Sequence, residues 1–148
     1  MFGIESSKDR FNQLKNNYNI LLNDTLNISL AEQTCSDAWH LVDWVYEDEL
    51  KTNPSLKLKS FRENVYKNCP QIKILCDLVN TIKHKELRNP KVKILKTEVH
   101  GGPFSNIFSK EFDVSRLTIY YGNNNRIDVD DLIKIVIEYW ESIIYKVQ

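Results

Sequence analysis

The chain has 148 residues, of which 42% are hydrophobic, and its 20 Lys and Arg residues balance 20 Asp and Glu residues. This length is typical of a single domain, 1–148, whose core is large enough to be stable without disulfides or metal ions. The balance of charge excludes a uniformly basic surface for nucleic acid, and the apolar content excludes a disordered chain. No apolar run approaches the ~20 residues of a membrane span.

Cysteine usage and the first residues bear on the cellular compartment. Cys35, Cys69 and Cys76 form an odd set without a CxxC pair, which is typical of reduced thiols in the cytosol rather than of a disulfide framework or a zinc site. The opening sequence MFGIESSKDRF lacks the apolar region of a signal peptide. We therefore expect a cytoplasmic protein that needs no cofactor and no metal. With only four glycines and four prolines, regular structure should dominate.

Apolar residues at helical spacing predict four helices before residue 90. The second has apolar residues on almost every side, so we expect it to lie at the centre of the fold. Its start is predicted from the capping box Ser29-Leu-Ala-Glu32, and the start of the third from Asn53-Pro54. The four helices are predicted at about 5–23, 30–50, 54–67 and 70–88.

The second half of the chain changes in character. Alternating β-branched and charged residues predict antiparallel strands at about 92–99 and 116–121, and a turn at Gly122–Asn125 predicts a short third strand at Arg126-Ile127. Asp128 is expected to cap a last helix over about 129–146. The fold class is therefore mainly α, a bundle of about five helices with a two- or three-stranded antiparallel insertion before the last helix.

The loop between the two main strands, HGGPFSNIFSKEFDVS, is rich in glycine and phenylalanine. Its first four residues, His100-Gly-Gly-Pro103, could expose backbone N–H groups that bind an anion. A turn with phenylalanines packed beneath it explains the same residues, and no phosphate-binding motif follows. We favour the turn.

The fourth helix carries the most informative polar residues. Its core side is predicted to hold Ile72, Leu75, Cys76, Val79 and Ile82. At 100° per residue, Asp77, Asn80 and His84 fall on the opposite side. Histidine can act as a general acid or base near neutral pH, and an amide one turn away can orient it or bind a phosphate oxygen. A solvated polar face would show the same pattern.

A second histidine, His40, faces away from the core stripe of the second helix, near Asp43 and Glu47. If the second and fourth helices pack side by side, His40 and His84 could border one groove and cleave a phosphodiester without metal. Otherwise His40 is a surface residue. Metal binding by these histidines with Asp43 and Asp77 is disfavoured, because each helix offers one histidine and one carboxylate in no recognised ligand order.

Aromatic residues raise the question of a subunit interface. Trp39, Trp44 and Trp140 accompany more apolar helix surface than one small core needs, which favours a homodimer. A tightly packed monomeric core is the alternative explanation. The sequence does not distinguish the homodimer from the monomer.

Several distinctive words carry a resemblance that spans about 110 residues. They are DAWHLVDWV at 37–45, DLVNTIKHKEL at 77–87, VHGGPFSNIFSKEFDVS at 99–115 and EYWESII at 138–144. Through them the chain resembles a family of small, functionally uncharacterised bacterial proteins. The resemblance implies a shared fold and carries no activity with it.

The helical part also resembles the HEPN superfamily, helical bundles that often dimerise and include metal-independent ribonucleases of toxin–antitoxin, phage-defence and CRISPR systems. The superfamily motif has an arginine, then a polar residue that is often asparagine, and a histidine a few positions later. Asn80 and His84 match the amide and the histidine, and Val79 stands in the arginine position. The resemblance implies a catalytic His84 with Asn80 as its partner, and the shared-groove hypothesis adds His40 as a possible second histidine. Lys83 or Arg88 would contact RNA phosphate.

These observations favour a HEPN-like protein that binds RNA or cleaves it as a metal-independent endoribonuclease, in a bacterial defence or toxin system. The alternative is a non-catalytic, dimeric helical module that binds a protein partner. A small-ligand pocket between bundle and sheet is a third hypothesis, supported only by the glycine-rich loop.

Overall fold

The computed structural model describes residues 2–100 and 116–146, except for the side chain of His100. Within these ranges the chain is mainly helical, with a small antiparallel sheet before the last helix, as predicted. The helices are α1 (Ser7–Leu22), α2 (Ile28–Leu50), α3 (Leu58–Asn68), α4 (Gln71–His84) and α5 (Val129–Ile144). The strands are β1 (Ile94–His100), β2 (Arg116–Tyr121) and β3 (Asn125–Asp128). The predicted glycine-rich loop, 101–115, lies outside the described residues.

Helix α2 lies at the centre of the fold, as its apolar surface predicts. It packs against α1, α3, α4 and α5, and its buried residues include Cys35, Ala38, Trp39 and Val42. The buried side chains of all five helices and of β2 form one core. No helix in the described ranges combines the length and the apolar character needed to cross a membrane.

Helix α5 closes the bundle against α1. Its apolar face buries Leu132, Ile133, Val136 and Trp140 completely. Its last turns are joined to α1 by polar contacts, because the Tyr145 hydroxyl donates a 3.0 Å hydrogen bond to Asn12 and Lys15 forms an ion pair with Glu141. The first and last helices of the described chain are therefore neighbours in space.

Several helix boundaries differ from the predictions by two residues or more. Helix α2 begins at Ile28 because the Asn27 side chain accepts a 3.0 Å hydrogen bond from the Leu30 N–H, so the predicted capping box at Ser29 is wrong. Helix α3 begins at Leu58 rather than 54, because Asn53–Leu56 form a turn, closed by a hydrogen bond from the Leu56 N–H to the Asn53 carbonyl. Proline suits the second position of such a turn as well as a helix start.

Helix α4 ends at His84, four residues before its predicted end. Lys85 adopts a left-handed conformation with φ 65° and ψ −49°, and its N–H bonds to the Thr81 carbonyl. The Glu86 N–H then bonds back to the His84 carbonyl at 2.7 Å. This is a γ-turn, a strained arrangement for a residue with a side chain. It redirects the chain toward the sheet.

The sheet has the order β1-β2-β3, with both pairs antiparallel. The third strand and the turn before it are confirmed, and Gly122 and Asn124 both take positive φ there. A bulge between Ile94 and Lys96 bends the start of β1, which begins two residues later than predicted. Strand β1 is an edge strand of this sheet.

Asp128 occupies the predicted N-cap position of α5, but its side chain does not cap the helix. Its carboxylate instead accepts a 2.7 Å hydrogen bond from the hydroxyl of Thr118, a buried residue of β2. This bond ties the first turn of α5 to the middle of the sheet.

Candidate functional site

Asp77, predicted on the polar face with Asn80 and His84, is buried and has a structural role. Only 2% of its surface is exposed, and its carboxylate accepts hydrogen bonds from the backbone N–H groups of Val92, at 2.5 Å, and Lys93, at 3.1 Å. The segment that leaves α4 folds back over this helix face and covers it. Asp77 was predicted on the side of α4 opposite the core, but it is buried, and its carboxylate anchors the segment that leads into the sheet.

The predicted core side of α4 needs one further correction. Ile82 was expected to be buried, but 47% of its surface is exposed. Ile74 and Leu78 are buried instead. Because the sheet covers the face of Asp77, the buried arc of α4 is rotated relative to the stripe that periodicity indicates.

The two histidines lie at different levels of the bundle. Ala31 of α2 lines one cavity with Ile82 of α4, whereas Trp39 lines another with Asn80. The two helices therefore run in opposite directions. His84 therefore lies toward the start of α2, whereas His40, next to Trp39, lies further along that helix.

Both histidines are exposed. The Nδ1 atom of His40 is 3.4 Å from the Ser36 hydroxyl on its own helix. His40 and His84 are not joined by a hydrogen bond within the described ranges, and neither lines the groove that contains Asn80. The structure does not bring the two predicted histidines together as one catalytic pair.

Asn80 instead lines a groove of about 480 Å³ between α2, α3, α4 and the residues before β1. We call it the aromatic groove. It is lined by Trp39, Leu58, Lys59, Arg62, Glu63, Tyr66, Cys76, Asn80 and Lys91. Three cations and one carboxylate therefore border it, which makes this part of a neutral chain locally positive.

Two aromatic rings and two cations are interleaved in the aromatic groove. The rings of Trp39 and Tyr66 are parallel to within 8°, with centroids 6.3 Å apart. Arg62 lies over the Trp39 ring at 5.4 Å and Lys91 over the Tyr66 ring at 5.4 Å. Such cation–π contacts hold the charged groups at the rim. Because Trp39 is buried, the ring that the groove can offer to a ligand is the half-buried Tyr66, with the Lys91 ammonium beside it.

The donors of Arg62 are only partly used. One terminal nitrogen is 2.7 Å from the Asp43 carboxylate, while the buried Nε has no hydrogen-bond partner among the described residues. A guanidinium presents its donors as a planar fork that matches carboxylate and phosphate oxygens. Because Nε is buried, an anionic ligand would have to bind Arg62 through its terminal nitrogens, one of which already contacts Asp43.

A small polar network lies on the floor of the aromatic groove. The Asn80 amide donates to the Cys76 sulfur at 3.5 Å, and Cys76 also hydrogen-bonds with the Tyr66 side chain. Burial raises the pKa of the Cys76 thiol, and burial next to that thiol raises the pKa of the Tyr66 phenol. Both groups stay protonated at neutral pH, so the network positions Asn80 without offering a thiolate nucleophile.

Positive charge continues from the groove along the segment 83–93, KHKELRNPKVK, which we call the basic connector. It contains five cations, one histidine and a single carboxylate. The cations are Lys83, Lys85, Arg88, Lys91 and Lys93, and all are exposed. Lys91 belongs to both the connector and the aromatic groove. Lys83 and Arg88, predicted to contact phosphate, therefore lie outside the groove but on the charged path that leads into it.

Metal ligation finds little support among the described residues. Asp77 is engaged by backbone amides and Asp43 by Arg62, so two of the four side chains considered for a metal site are occupied. Asp128, Asp130 and Asp131 have carboxylate oxygens within 4.8 Å of one another. Arg116 lies beside Asp128 and Asp130 and offsets one of the three negative charges.

Sequence reasoning did not identify Arg62, Tyr66 or Lys91 as site residues. Arg62 and Tyr66 are four residues apart on α3, next to the buried Phe61 and Val65, and this i, i+4 spacing puts them on one helix face. The run of cations at 83–93 was visible as a charge pattern. Neither signal indicates that the two segments meet at one groove.

No protein-family model matches the chain, and it has no match among curated proteins or solved structures. The resemblance to the HEPN superfamily therefore rests on Asn80 and His84 alone.

Proposed function

We propose that this protein is an RNA-binding protein of HEPN-like character that takes a single strand along the basic connector and into the aromatic groove. The observation that carries the proposal is the continuity of these two features at Lys91. Exposed cations attract the phosphate backbone, and aromatic side chains stack on bases. The proposed setting is the cytoplasm, in a bacterial defence or toxin system.

Each part of the surface matches a part of a single-stranded RNA. The side chains of Lys83, Arg88 and Lys93 project from a connector with only one opposing carboxylate. The Tyr66 ring is half-buried and held parallel to Trp39, so its geometry is fixed before a base arrives. Asn80 supplies an amide that can hydrogen-bond a base edge or a phosphate oxygen.

Cleavage is the second step of the proposal and depends on His84. This exposed side chain ends α4 one turn after Asn80, at the start of the basic connector. A phosphodiester bound along the connector would pass within reach of its imidazole, which could then transfer a proton to or from the reacting oxygens. His40 lies at another level of the bundle, so His84 would act without it.

The binding step is tested by fluorescence anisotropy with a labelled single-stranded RNA at several salt concentrations. The double variant Lys83→Ala/Arg88→Ala should bind at least tenfold more weakly. Its slope of log K against log salt should be shallower by about 1.4, because each phosphate contact to a single strand contributes about 0.7. The variant Lys134→Ala/Lys146→Ala removes the same charge from one exposed position of α5 and one just after it, and serves as the control.

The aromatic groove is tested by Tyr66→Leu. Loss of one stacked base should weaken binding by about 1–3 kcal/mol and leave the salt slope unchanged. The proposed surface is wrong if the wild-type chain fails to bind RNA. It is also wrong if Lys83→Ala/Arg88→Ala binds RNA with the same affinity as the control double variant. RNA cleavage that disappears in His84→Ala with binding intact supports the catalytic role, and cleavage unchanged in that variant removes it.

A non-catalytic interaction module that binds a protein partner is the second candidate function. It is favoured by the exposed apolar side chains of Ile28, Ile82 and Val99, which border a groove between the helices and the sheet. Recovery of a stable protein partner together with intact RNA would favour this candidate. RNA degradation that depends on His84 would exclude it.

A further inference from the structure

One face of α3 forms a wall of the aromatic groove. Its residues recur at intervals of three and four positions, which places them on one side of the helix, and they are Lys59, Arg62, Glu63 and Tyr66. The buried Phe61 and Val65 lie on the other side, toward the core. This wall therefore presents cations, a carboxylate and an aromatic ring to the same ligand.

The carboxylate of this wall, Glu63, is available to a ligand. Its side chain is exposed and forms no hydrogen bond or ion pair with any residue of the described ranges, although Lys59 lies one helical turn before it. Asp43, on α2 nearby, is in contrast engaged by Arg62 at 2.7 Å. Both oxygens of Glu63 can therefore accept hydrogen bonds from a bound molecule.

A carboxylate in this position restricts which nucleotide the groove can favour. It repels a phosphate nearby, so a nucleotide gains from its presence only where a base donates hydrogen bonds to it. Tyr66 lies one turn after Glu63 on the same face, and its ring is held parallel to that of Trp39. The edge of a base stacked on Tyr66 would thus come within reach of Glu63.

The four RNA bases differ in what they present to a carboxylate. RNA bases in a single strand are read through their Watson–Crick edges. Guanine has two adjacent donors there, N1–H and the 2-amino group, so both oxygens of a carboxylate can accept at once. Its neighbouring O6 is an acceptor that suits a cation. Adenine and cytosine present one donor beside a ring nitrogen acceptor, and uracil has one donor between two carbonyl oxygens.

We propose that the aromatic groove prefers guanine and that Glu63 is the residue that selects it. The inference rests on the RNA binding proposed above. The base stacks on Tyr66, its N1–H and 2-amino group donate to the Glu63 carboxylate, and its O6 accepts from Lys59, an exposed cation with no ion pair in the described ranges. The basic connector contributes affinity that does not depend on sequence.

The test is fluorescence anisotropy with labelled single strands of about eight uridines, in which one central uridine is replaced by guanosine, adenosine or inosine. The wild-type chain should bind the guanosine probe about tenfold more tightly than the adenosine probe, because bidentate pairs discriminate between bases to about this extent. Inosine keeps the N1–H but lacks the 2-amino group, so its probe should bind with intermediate affinity.

Glu63→Gln keeps the size of the side chain but replaces one acceptor oxygen by a donor. This variant should bind the guanosine and adenosine probes within about threefold of each other. It should bind the all-uridine probe slightly more tightly, because a negative charge has left the path of the phosphates. Glu47→Gln removes the same charge at an exposed position of α2 outside the groove and should keep the full guanine preference.

The outcomes separate this inference from the proposed function. Equal binding of the guanosine and adenosine probes by the wild-type chain overturns the guanine preference and leaves RNA binding in place. A guanine preference that persists in Glu63→Gln overturns the role of Glu63. Failure of the wild-type chain to bind any probe removes RNA binding and the preference together. Circular dichroism checks that the variants keep the wild-type helix content.

Discussion

Replacement of Asp77 by alanine tests how α4 and the sheet are held together. The carboxylate is 2% exposed and accepts the N–H groups of Val92 and Lys93. Hydrogen bonds to charged groups are each worth about 1.5–3 kcal/mol, and a buried donor left without a partner costs its desolvation. Because both N–H groups bond to the same carboxylate oxygen, we expect Asp77→Ala to lower the free energy of unfolding by about 2–4 kcal/mol.

The measurement is equilibrium unfolding in urea, followed by circular dichroism. The midpoint should fall while the m value stays constant, because the unfolded chain exposes the same surface. Asp77→Asn keeps one acceptor oxygen and should lose less than half as much. Glu47→Ala, at an exposed position of α2, is the matched control and should change stability by less than about 0.5 kcal/mol. An Asp77→Ala midpoint equal to that of the control would refute the anchoring role.

Two further predictions concern the core and the end of α4. Burial raises the pKa of the Cys35 thiol to about 12, so the native chain keeps a proton that the unfolded chain releases near pH 9. The free energy of unfolding should therefore be highest below that pH and should fall as the pH rises to about 12. Urea titrations across that range should show a smaller fall in Cys35→Ala than in the wild-type chain. Lys85→Gly should raise the free energy of unfolding by about 0.5–1 kcal/mol, because glycine adopts positive φ without strain; a midpoint that falls would show that the γ-turn is not strained.

The helices and strands were predictable because their signals are local. Apolar periodicity identified α2 and α5, and alternation with a Gly-Asn turn identified β2 and β3. Asp77 was misplaced for a physical reason: its position on a helical wheel is polar, and only the return of the chain at Val92 and Lys93 buries it. Nothing within α4 encodes that return.

The same contrast between local signals and long-range contacts holds for the candidate site. Asn80 and His84 are recognisable from their spacing on one helix. The aromatic groove depends on α3 meeting α2, so the contact of Tyr66 with Trp39 and of Arg62 with Asp43 joins residues that are far apart in sequence. Helix packing that sets such contacts allows several crossing angles, and sequence periodicity does not choose among them.

The packing of α5 against α1 has a consequence for synthesis on the ribosome. Helices α1 and α2 expose the surfaces that Leu132, Val136 and Trp140 later bury until α5 has emerged from the exit tunnel. The core therefore cannot be completed before α5 has been synthesised, and folding of the bundle is expected to follow the emergence of this helix. During that interval the nascent chain presents apolar surface to which chaperones can bind.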